Sequence, residues 1–344
     1  MGAAVGCKPT LPVTTHLSFF QSFTAINGRT AHFAHTLNGI VRRILLWSVR
    51  PRNCGLTGVE TVGFGTIAIK ERLTMAKTIL ITGATDGIGL TTARYLAEAG
   101  HSLLIHGRNE KKLADCQAML SALPGAGPIQ TCLADLSNLD EVVAMASDIL
   151  ASGTRLDVLI NNAGVYATPH KRAEQGWDTR FVVNALAPYL LARKLAPLLG
   201  SEGRVVNLSS AAQSSVELDG MRGERLLSDG AAYAQSKLAL TMWSRYWGLN
   251  RAPTDPIIVA VNPGSLLGSK MVTEAFGIAG GDLSIGADIV VRAALSEDFA
   301  NASGQYFDND TGHFASPHPD ALNAETCAEV VNAIEALLSE YLVA

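Results

Sequence analysis

Residues 78–89 read Thr-Ile-Leu-Ile-Thr-Gly-Ala-Thr-Asp-Gly-Ile-Gly. The opening run, TILIT over 78–82, is short, apolar and β-branched. It lacks polar alternation, as expected of a parallel strand buried on both faces. Thr82-Gly83-Ala84-Thr85-Asp86-Gly87-Ile88-Gly89 is a Gly-rich turn, and helical apolar spacing follows over 90–99 until Gly100. Glycines let a backbone approach a pyrophosphate, and a helix N-terminus offers free N–H groups and a positive dipole end. Gly83, Thr85, Asp86, Gly87, Ile88 and Gly89 are therefore candidate contacts for a dinucleotide.

The alternation continues outward from that unit. Strands are expected at 102–106, 129–133, 156–160, 204–208, 257–261 and 304–307, and helices at 110–123, 139–151, 176–199 and 231–251. This pattern specifies an α/β fold, a single Rossmann-type doubly wound parallel sheet of about seven strands with helices on both faces. Ligands of such sheets bind beyond the carboxyl ends of the strands, where every unusual motif of this chain falls.

The second strand ends His106-Gly107-Arg108-Asn109. A site selecting NAD would carry a carboxylate here for the ribose hydroxyls. Gly107 stands in that place and Arg108 follows, and a guanidinium pairs with a 2′-phosphate. NADP(H) is therefore the expected cofactor. Asp135-Leu136 closes the third strand, where adenine should lie, and Asn161-Asn162-Ala163-Gly164 closes the fourth. Asn162, Ala163 and Gly164 are candidate cofactor contacts. A structural tie between strands is an equal reading for Asn161 and Asn162.

Tyr233 and Lys237 stand four residues apart, so they share one face of a helix. A free Tyr has a pKa near ~10, too high for easy proton exchange at neutral pH. At an effective dielectric of about 20, an ammonium ~4 Å away is worth roughly 4 kcal/mol, or up to about 3 pK units. Such a pair suits general acid–base catalysis, with Lys237 also able to hold a nicotinamide ribose. Ser209-Ser210 stand just past the fifth strand, where a hydroxyl would steady a substrate oxygen. Asn184 lies inside an expected helix, where Asn is a mediocre former; it binds a water in a proton path or caps a kink.

The ordered set TGxxxGxG, Asp135-Leu136, NNAG, Asn184, Ser210, YxxxK and Asn262-Pro263-Gly264 resembles the short-chain dehydrogenase/reductase family, over essentially all of residues 75–344. The resemblance implies an oxidoreductase acting on CH–OH donors, with Tyr233 as the acid/base and Lys237 as its activator. It implies that Ser210 orients the substrate, Asn184 serves a relay, and Pro263-Gly264 flank the nicotinamide. Twenty-three residues lead from Ser210 to Tyr233, against about a dozen in many members. This insert, with Tyr-Ala-Gln-Ser-Lys-Leu, looks like the retinol-dehydrogenase-like and WW-domain-oxidoreductase-like branch. Gln213 departs from the histidine common there, and the chain has no WW domain.

The expected reaction is hydride transfer between NADP(H) and an apolar aldehyde or ketone, or the matching alcohol. Residues 265–281 should roof the substrate: Leu266, Leu267, Met271, Val272, Phe276 and Ile278 make that segment apolar, and Gly268, Gly277, Gly280 and Gly281 suggest a mobile lid. Tyr166, Trp243, Trp247 and Phe307 are expected in the core. Two rivals bear on function. A sugar-nucleotide epimerase or dehydratase needs a larger C-terminal domain than the roughly 80 residues after the sixth strand. A catalytically silent NADP-sensing or scaffold protein would have no use for the intact Tyr233, Lys237, Ser210 and Asn184. Asp308-Asn309-Asp310 with His313 reads as a polar turn, and no metal is expected.

The chain has 344 residues, 48% hydrophobic and 17% charged, with a net charge of −4. That balance gives no basic field for nucleic acid. Five scattered cysteines (Cys7, Cys54, Cys116, Cys132, Cys327) contain no CxxC pair and suggest reduced thiols. No uninterrupted apolar run approaches the ~20 residues of a membrane span; the nearest are 44–49 and 62–69. The protein is expected to be soluble and cytoplasmic, acting on a small molecule, with the long helices at 176–199 and 231–251 able to pair in a homodimer. Residues 1–74 differ in kind. They carry eight Lys/Arg and two acids, against 19 basic and 29 acidic residues in the remainder. This segment is expected to lie outside the domain at 75–344. It reads as translated leader before a true start at Met75, with an organelle transit peptide or a disordered extension as alternatives.

Overall fold

The computed structural model describes residues 76–343. The segment 1–74, with its apolar runs at 44–49 and 62–69, lies outside the described residues. Strands β1 (Thr78–Ile81), β2 (Ser102–Gly107), β3 (Ile129–Leu133), β4 (Val158–Asn161), β5 (Arg204–Leu208), β6 (Ile257–Asn262), β7 (Tyr306–Asp308) and β8 (His313–Ala315) form one sheet. Their order is β3-β2-β1-β4-β5-β6-β7-β8. The pairings from β3 through β7 are parallel and β8 closes the edge antiparallel. The chain order reverses between β1 and β4, which opens the crevice where doubly wound sheets take their ligands. The edge strand β8 is one more than the sequence suggests. Its three residues are too short to show a period, and pairing with β7 makes them a strand.

Alternate side chains of each strand feed two cores. Leu80, Leu104, Leu159, Val205 and Ile258 face one cluster, while Ile79, Ile81, Leu103, Ile105, Ile160, Val206 and Val259 face the other. The second cluster is closed by α1 (Gly87–Glu98), α2 (Glu110–Ser121) and α8 (Leu283–Leu295). The first is closed by α3 (Leu139–Ala151), α4 (Thr179–Leu199), α6 (Asp229–Leu249) and α9 (Ala324–Leu337). Between α4 and α6 lies the short α5 (Leu218–Met221), and α7 (Lys270–Phe276) sits in the segment after β6. Local chemistry starts these helices: the side chains of Asp86, Asn109, Asn138 and Ser228 each accept a backbone N–H at a helix N-terminus.

Helix α4 corrects one expectation. With 21 residues it has the length and, over 18 of them, the mean hydropathy of a membrane span, yet 72% of that window is buried inside the fold. A search for an unbroken apolar run overlooks it because Arg180, Asn184, Arg193 and Lys194 interrupt the pattern. The face it shares with α6 is partly covered by α9: the Tyr189 hydroxyl donates to Glu335 Oε1 at 2.5 Å, beside the Tyr189–Trp243 edge contact with ring centres 5.4 Å apart.

Leu80 is fully buried in a central strand. Leu80→Ala should lower the unfolding free energy by about 2–5 kcal/mol, read from urea denaturation. A loss well below 1 kcal/mol would mean that β1 is not packed as described.

Candidate active site

The glycine turn after β1 is built by neighbours that leave no room for side chains. Gly83 and Gly87 have φ of +65° and +56°, the left-handed region that favours glycine. A Cβ on Gly89 would stand 2.3 Å from both Asn162 Nδ2 and Gly83 O. Asn162 Nδ2 donates to Thr82 O at 2.8 Å and Gly83 O at 3.0 Å. The backbone N–H groups of Asn162 and Ala163 donate to the Thr82 hydroxyl. Asn161 reaches across to Asn207 Oδ1 at 2.8 Å. Both asparagines therefore tie strands, the structural half of the reading left open above. Asp86 is spent on its own helix, accepting from Gly87 N at 2.7 Å. Ile88 packs beside Leu267 around Gly286.

His106 completes this frame, and its role was not apparent from the sequence. Its Nδ1 accepts from Gly83 N at 3.1 Å, so Nε2–H faces Ala134 O at 3.0 Å. One neutral ring thus joins the ends of β1, β2 and β3. Gly107 next to it is enforced by Thr85, whose Cγ2 would lie 2.8 Å from a Cβ there. Arg108 is exposed, and no hydrogen bond or ion pair engages it among the described residues. Asp135 accepts from the Ser137 amide and hydroxyl, while Leu136 is core.

The second half of the site gathers at Gly164. A Cβ there would meet Asn184 Oδ1 and Lys237 Nζ at 3.4 Å, and Met271 Cε at 3.8 Å. Asn184 sits in a π turn, Val182–Leu186, inside α4; such turns are frequent at functional sites. Its side chain accepts from Val165 N at 2.8 Å and donates to Val165 O and Ser236 Oγ at 2.9 Å each. Ser236 in turn donates to Tyr233 O at 2.8 Å. Lys237, 4% exposed, donates to Leu208 O at 2.6 Å, and its Nζ lies 5.7 Å from the Tyr233 ring centre.

Burial governs the charges. It pushes the Lys237 ammonium down to about 8. It pushes the Tyr233 phenol up, against a lowering by the Ser210 hydrogen bond and with a further rise from Tyr166. The Lys237 ammonium is engaged by the Leu208 carbonyl, and burial sets the direction for the Tyr233 phenol in the protein alone.

Of the two serines, Ser209 is buried against Thr241 at 2.6 Å, and Ser210 is the one that meets Tyr233. The Ser210 carbonyl accepts from Gln213 Nε2 at 2.9 Å and from the Tyr306 hydroxyl at 3.2 Å. Tyr166, expected in the core, instead lies against Tyr233 with ring centres 5.2 Å apart. Nothing in the local sequence around Tyr166 or Tyr306 marks either residue; only the meeting of strand ends does. Trp243 and Phe307 are core as expected, and Trp247 is half-buried.

Residues 265–281 lie beside the site. Ser269 Cβ would be 3.6 Å from a Cβ on Gly87. Gly268 N donates to Gly281 O at 2.7 Å and Gly281 N to Leu266 O at 2.8 Å. A Cβ on Gly280 would fall 2.6 Å from Gly268 Cα. These glycines permit a backbone-to-backbone seam, a tighter role than the mobility read from composition. Leu266 carries a strained φ of +53° at its start and is 50% exposed. Pro263 is buried and its carbonyl accepts from Asn309, while Gly264 has φ +124°. Asp308 and Asp310 both accept from Asn262 Nδ2, at 2.8 and 2.9 Å, so the acidic turn anchors the end of β6.

Residues 77–277 match the short chain dehydrogenase family. Retinol dehydrogenase 12 of Bos taurus is 32% identical over 269 residues, 74% of this chain and 84% of that protein. A crystal structure of an uncharacterized protein from Mycobacterium paratuberculosis is 27% identical with a TM-score of 0.62, spanning 76% of this chain and 93% of that one. A metagenomic short-chain oxidoreductase solved in complex with NADP is 30% identical with a TM-score of 0.51, spanning 66% and 94%.

Burial holds His106 down to about 4, below its ordinary 6.5. Between these values the unfolded chain binds a proton that the folded chain does not, so stability is complete above pH 6.5 and is lost as pH falls towards 4. The loss should reach about 3 kcal/mol, read from urea unfolding at pH 7 and 4. His106→Gln should remove this pH dependence; an identical profile in the variant would refute the assignment.

Proposed function

This chain belongs to the short-chain dehydrogenase/reductase family, on its retinol-dehydrogenase-like branch, and from that premise we propose that it moves hydride between NADP(H) and an apolar aldehyde or ketone, or the matching alcohol, with Tyr233 as general acid and base. The observation that carries this reading is the convergence of Lys237, Asn184 and Met271 on Gly164, with the Tyr233 ring centre 5.7 Å from the Lys237 Nζ.

The residues fit the cofactor. A side chain on Gly83, Gly87, Gly89 or Gly107 would be strained or would fill the cradle along the strand ends. The N-terminus of α1 offers N–H groups to a pyrophosphate. Arg108, exposed and unengaged among the described residues, is available to a 2′-phosphate. Gly107, without a side chain and packed beside Thr85, offers nothing to repel one. Gly164, Pro263 and Gly264 would border the nicotinamide, and Lys237 would hold its ribose. When bound, NADPH supplies hydride to the carbonyl carbon, and NADP⁺ accepts it from the alcohol carbon.

The protein supplies the rest. Ser210 donates a hydrogen bond to the substrate oxygen and fixes it against Tyr233. Tyr233 gives its phenolic proton to that oxygen in reduction and takes it back in oxidation. Lys237, still largely charged at neutral pH with a pKa of about 8, stabilises the phenolate between turnovers. Asn184 holds the loop after β4 against the helix that carries Tyr233. Tyr166 and Met271 give the cleft apolar walls, which supports an apolar substrate.

A panel of aldehydes and ketones, followed by NADPH absorbance, tests the activity itself. Tyr233→Phe should lower kcat about 10²–10⁴-fold with NADPH still bound, as read by nucleotide fluorescence; undiminished turnover would overturn the assigned chemistry. Arg108→Asp should cut kcat/KM for NADPH about 10–100-fold, the scale of one charge-assisted hydrogen bond, and raise relative use of NADH. A wild-type preference for NADH would overturn the choice of cofactor.

A further inference from the structure

Arg180, in the first turn of α4, is fully buried among carboxylates. Its Nε and one terminal nitrogen hold the two Asp178 oxygens at 2.8 and 2.5 Å. The other terminal nitrogen reaches Asp229 Oδ1, in the first turn of α6, at 2.5 Å. Asp178 also caps α4, accepting from Arg180 N at 2.8 Å. Lys171 approaches Asp229 from the solvent side at 3.3 Å.

The spacing gives this cluster its meaning. Arg180 stands four residues before Asn184, and Asp229 stands four residues before Tyr233. Four residues are about one helical turn. The ion pair therefore joins α4 to α6 one turn upstream of a site residue on each helix. A second tie, Asn184 Nδ2 to Ser236 Oγ at 2.9 Å, joins the same helices just past Tyr233. Tyr233 is bracketed along α6 by these two polar ties, while further along the helices meet through apolar side chains and the Arg193 guanidinium over the Trp247 ring.

Buried ion pairs contribute little net stability, because desolvation offsets their attraction and apolar replacements often serve as well. Their strength is geometric: a guanidinium fork fixes direction as well as distance. Apolar packing resists rotation or sliding of one helix on the other but carries less directional preference than a guanidinium fork. We propose that Arg180 and Asp229 form a positioning pair, setting the rotation and height of α6 against α4 so that the Tyr233 phenol stays aligned with Ser210. The proposal rests on the acid/base role assigned to Tyr233.

Asp229→Asn is the sharpest test, since it removes the inter-helix charge while Arg180 keeps Asp178. The full chain is assayed with NADPH and the best carbonyl of the panel, at a temperature where circular dichroism shows the native fold. The expected result is a 10–100-fold lower kcat, the scale of a displacement near 1 Å, with KM for the carbonyl and the Kd for NADPH within about twofold of wild type. Hydrogen exchange of the cofactor-free protein should quicken over 179–186 and 229–237 together and stay unchanged in β1 and α1. A lower melting temperature with undiminished kcat and no paired exchange would overturn the proposal, because that is the signature of a purely structural contact. If Asp229→Asn does not fold, Asp229→Glu keeps the charge and shifts it by one methylene; it should lower kcat several-fold, and full activity would overturn the proposal. Tyr233→Phe in the same assay separates the two readings. If it turns over like wild type, the acid/base assignment fails; if it is inactive while Asp229→Asn is not, only the positioning pair fails.

Discussion

The Lys237 ammonium has almost no access to water and is held by the carbonyl of Leu208, the last residue of β5. Burying a charge is costly unless hydrogen bonds replace its hydration. That constraint ties the long helix α6 to the carboxyl edge of the sheet at one rotation. With Lys237 fixed there, Tyr233 one turn earlier must face the same crevice, and Ser236 between them turns towards Asn184. The placement of the site follows from satisfying this buried cation, together with the ties that join α4 to α6.

The same logic runs along the strand ends. The sheet interior is apolar and alternates onto two cores, whereas its carboxyl edge holds His106, Asn161, Asn207, Asn262 and Thr82, all buried and hydrogen-bonded to neighbours. Parallel strands end there without partners for their last polar groups, so side-chain amides, a hydroxyl and a neutral imidazole take that part. The edge that binds ligands in such folds is therefore also the most cross-linked part of this one. The glycines fit the same account: Gly89 and Gly107 lack side chains because Asn162 and Thr85 already fill the space.

Much of this was readable from residue order. The buried strands announced themselves by apolar runs ending in glycine or asparagine, and Tyr233 with Lys237 by helical spacing. Arg180 was hidden because a charged residue in an apolar helix reads as an interruption, although it is buried against Asp178 and Asp229. Tyr166 was assigned to the core because an aromatic after a strand carries no sign of which side it faces; it lies against Tyr233. The edge strand His313–Ala315 was too short for any period to appear. The glycines of 265–281 suggested a mobile lid; the structure adds that Gly268 and Gly280 come into close backbone contact. That seam pairs residues a dozen apart, which composition cannot express.

By itself the sequence determined the periodicities of seven strands and of the longer helices up to 251, though not of the helices Leu283–Leu295 and Ala324–Leu337, and that a glycine turn, an Arg and a Tyr–Lys pair lie at the strand ends. These follow from local sterics and from burying apolar faces, both written in neighbouring residues. Only the tertiary structure decided which polar groups meet: that Ser209 is buried against Thr241 while Ser210 lies nearer Tyr233, that Asn184 occupies a π turn against Ser236, and that burial raises the Tyr233 phenol. Desolvation and hydrogen-bond partnership depend on what packs across the gap, and the partners of Asn184, Val165 and Ser236, lie 19 and 52 positions away in the chain.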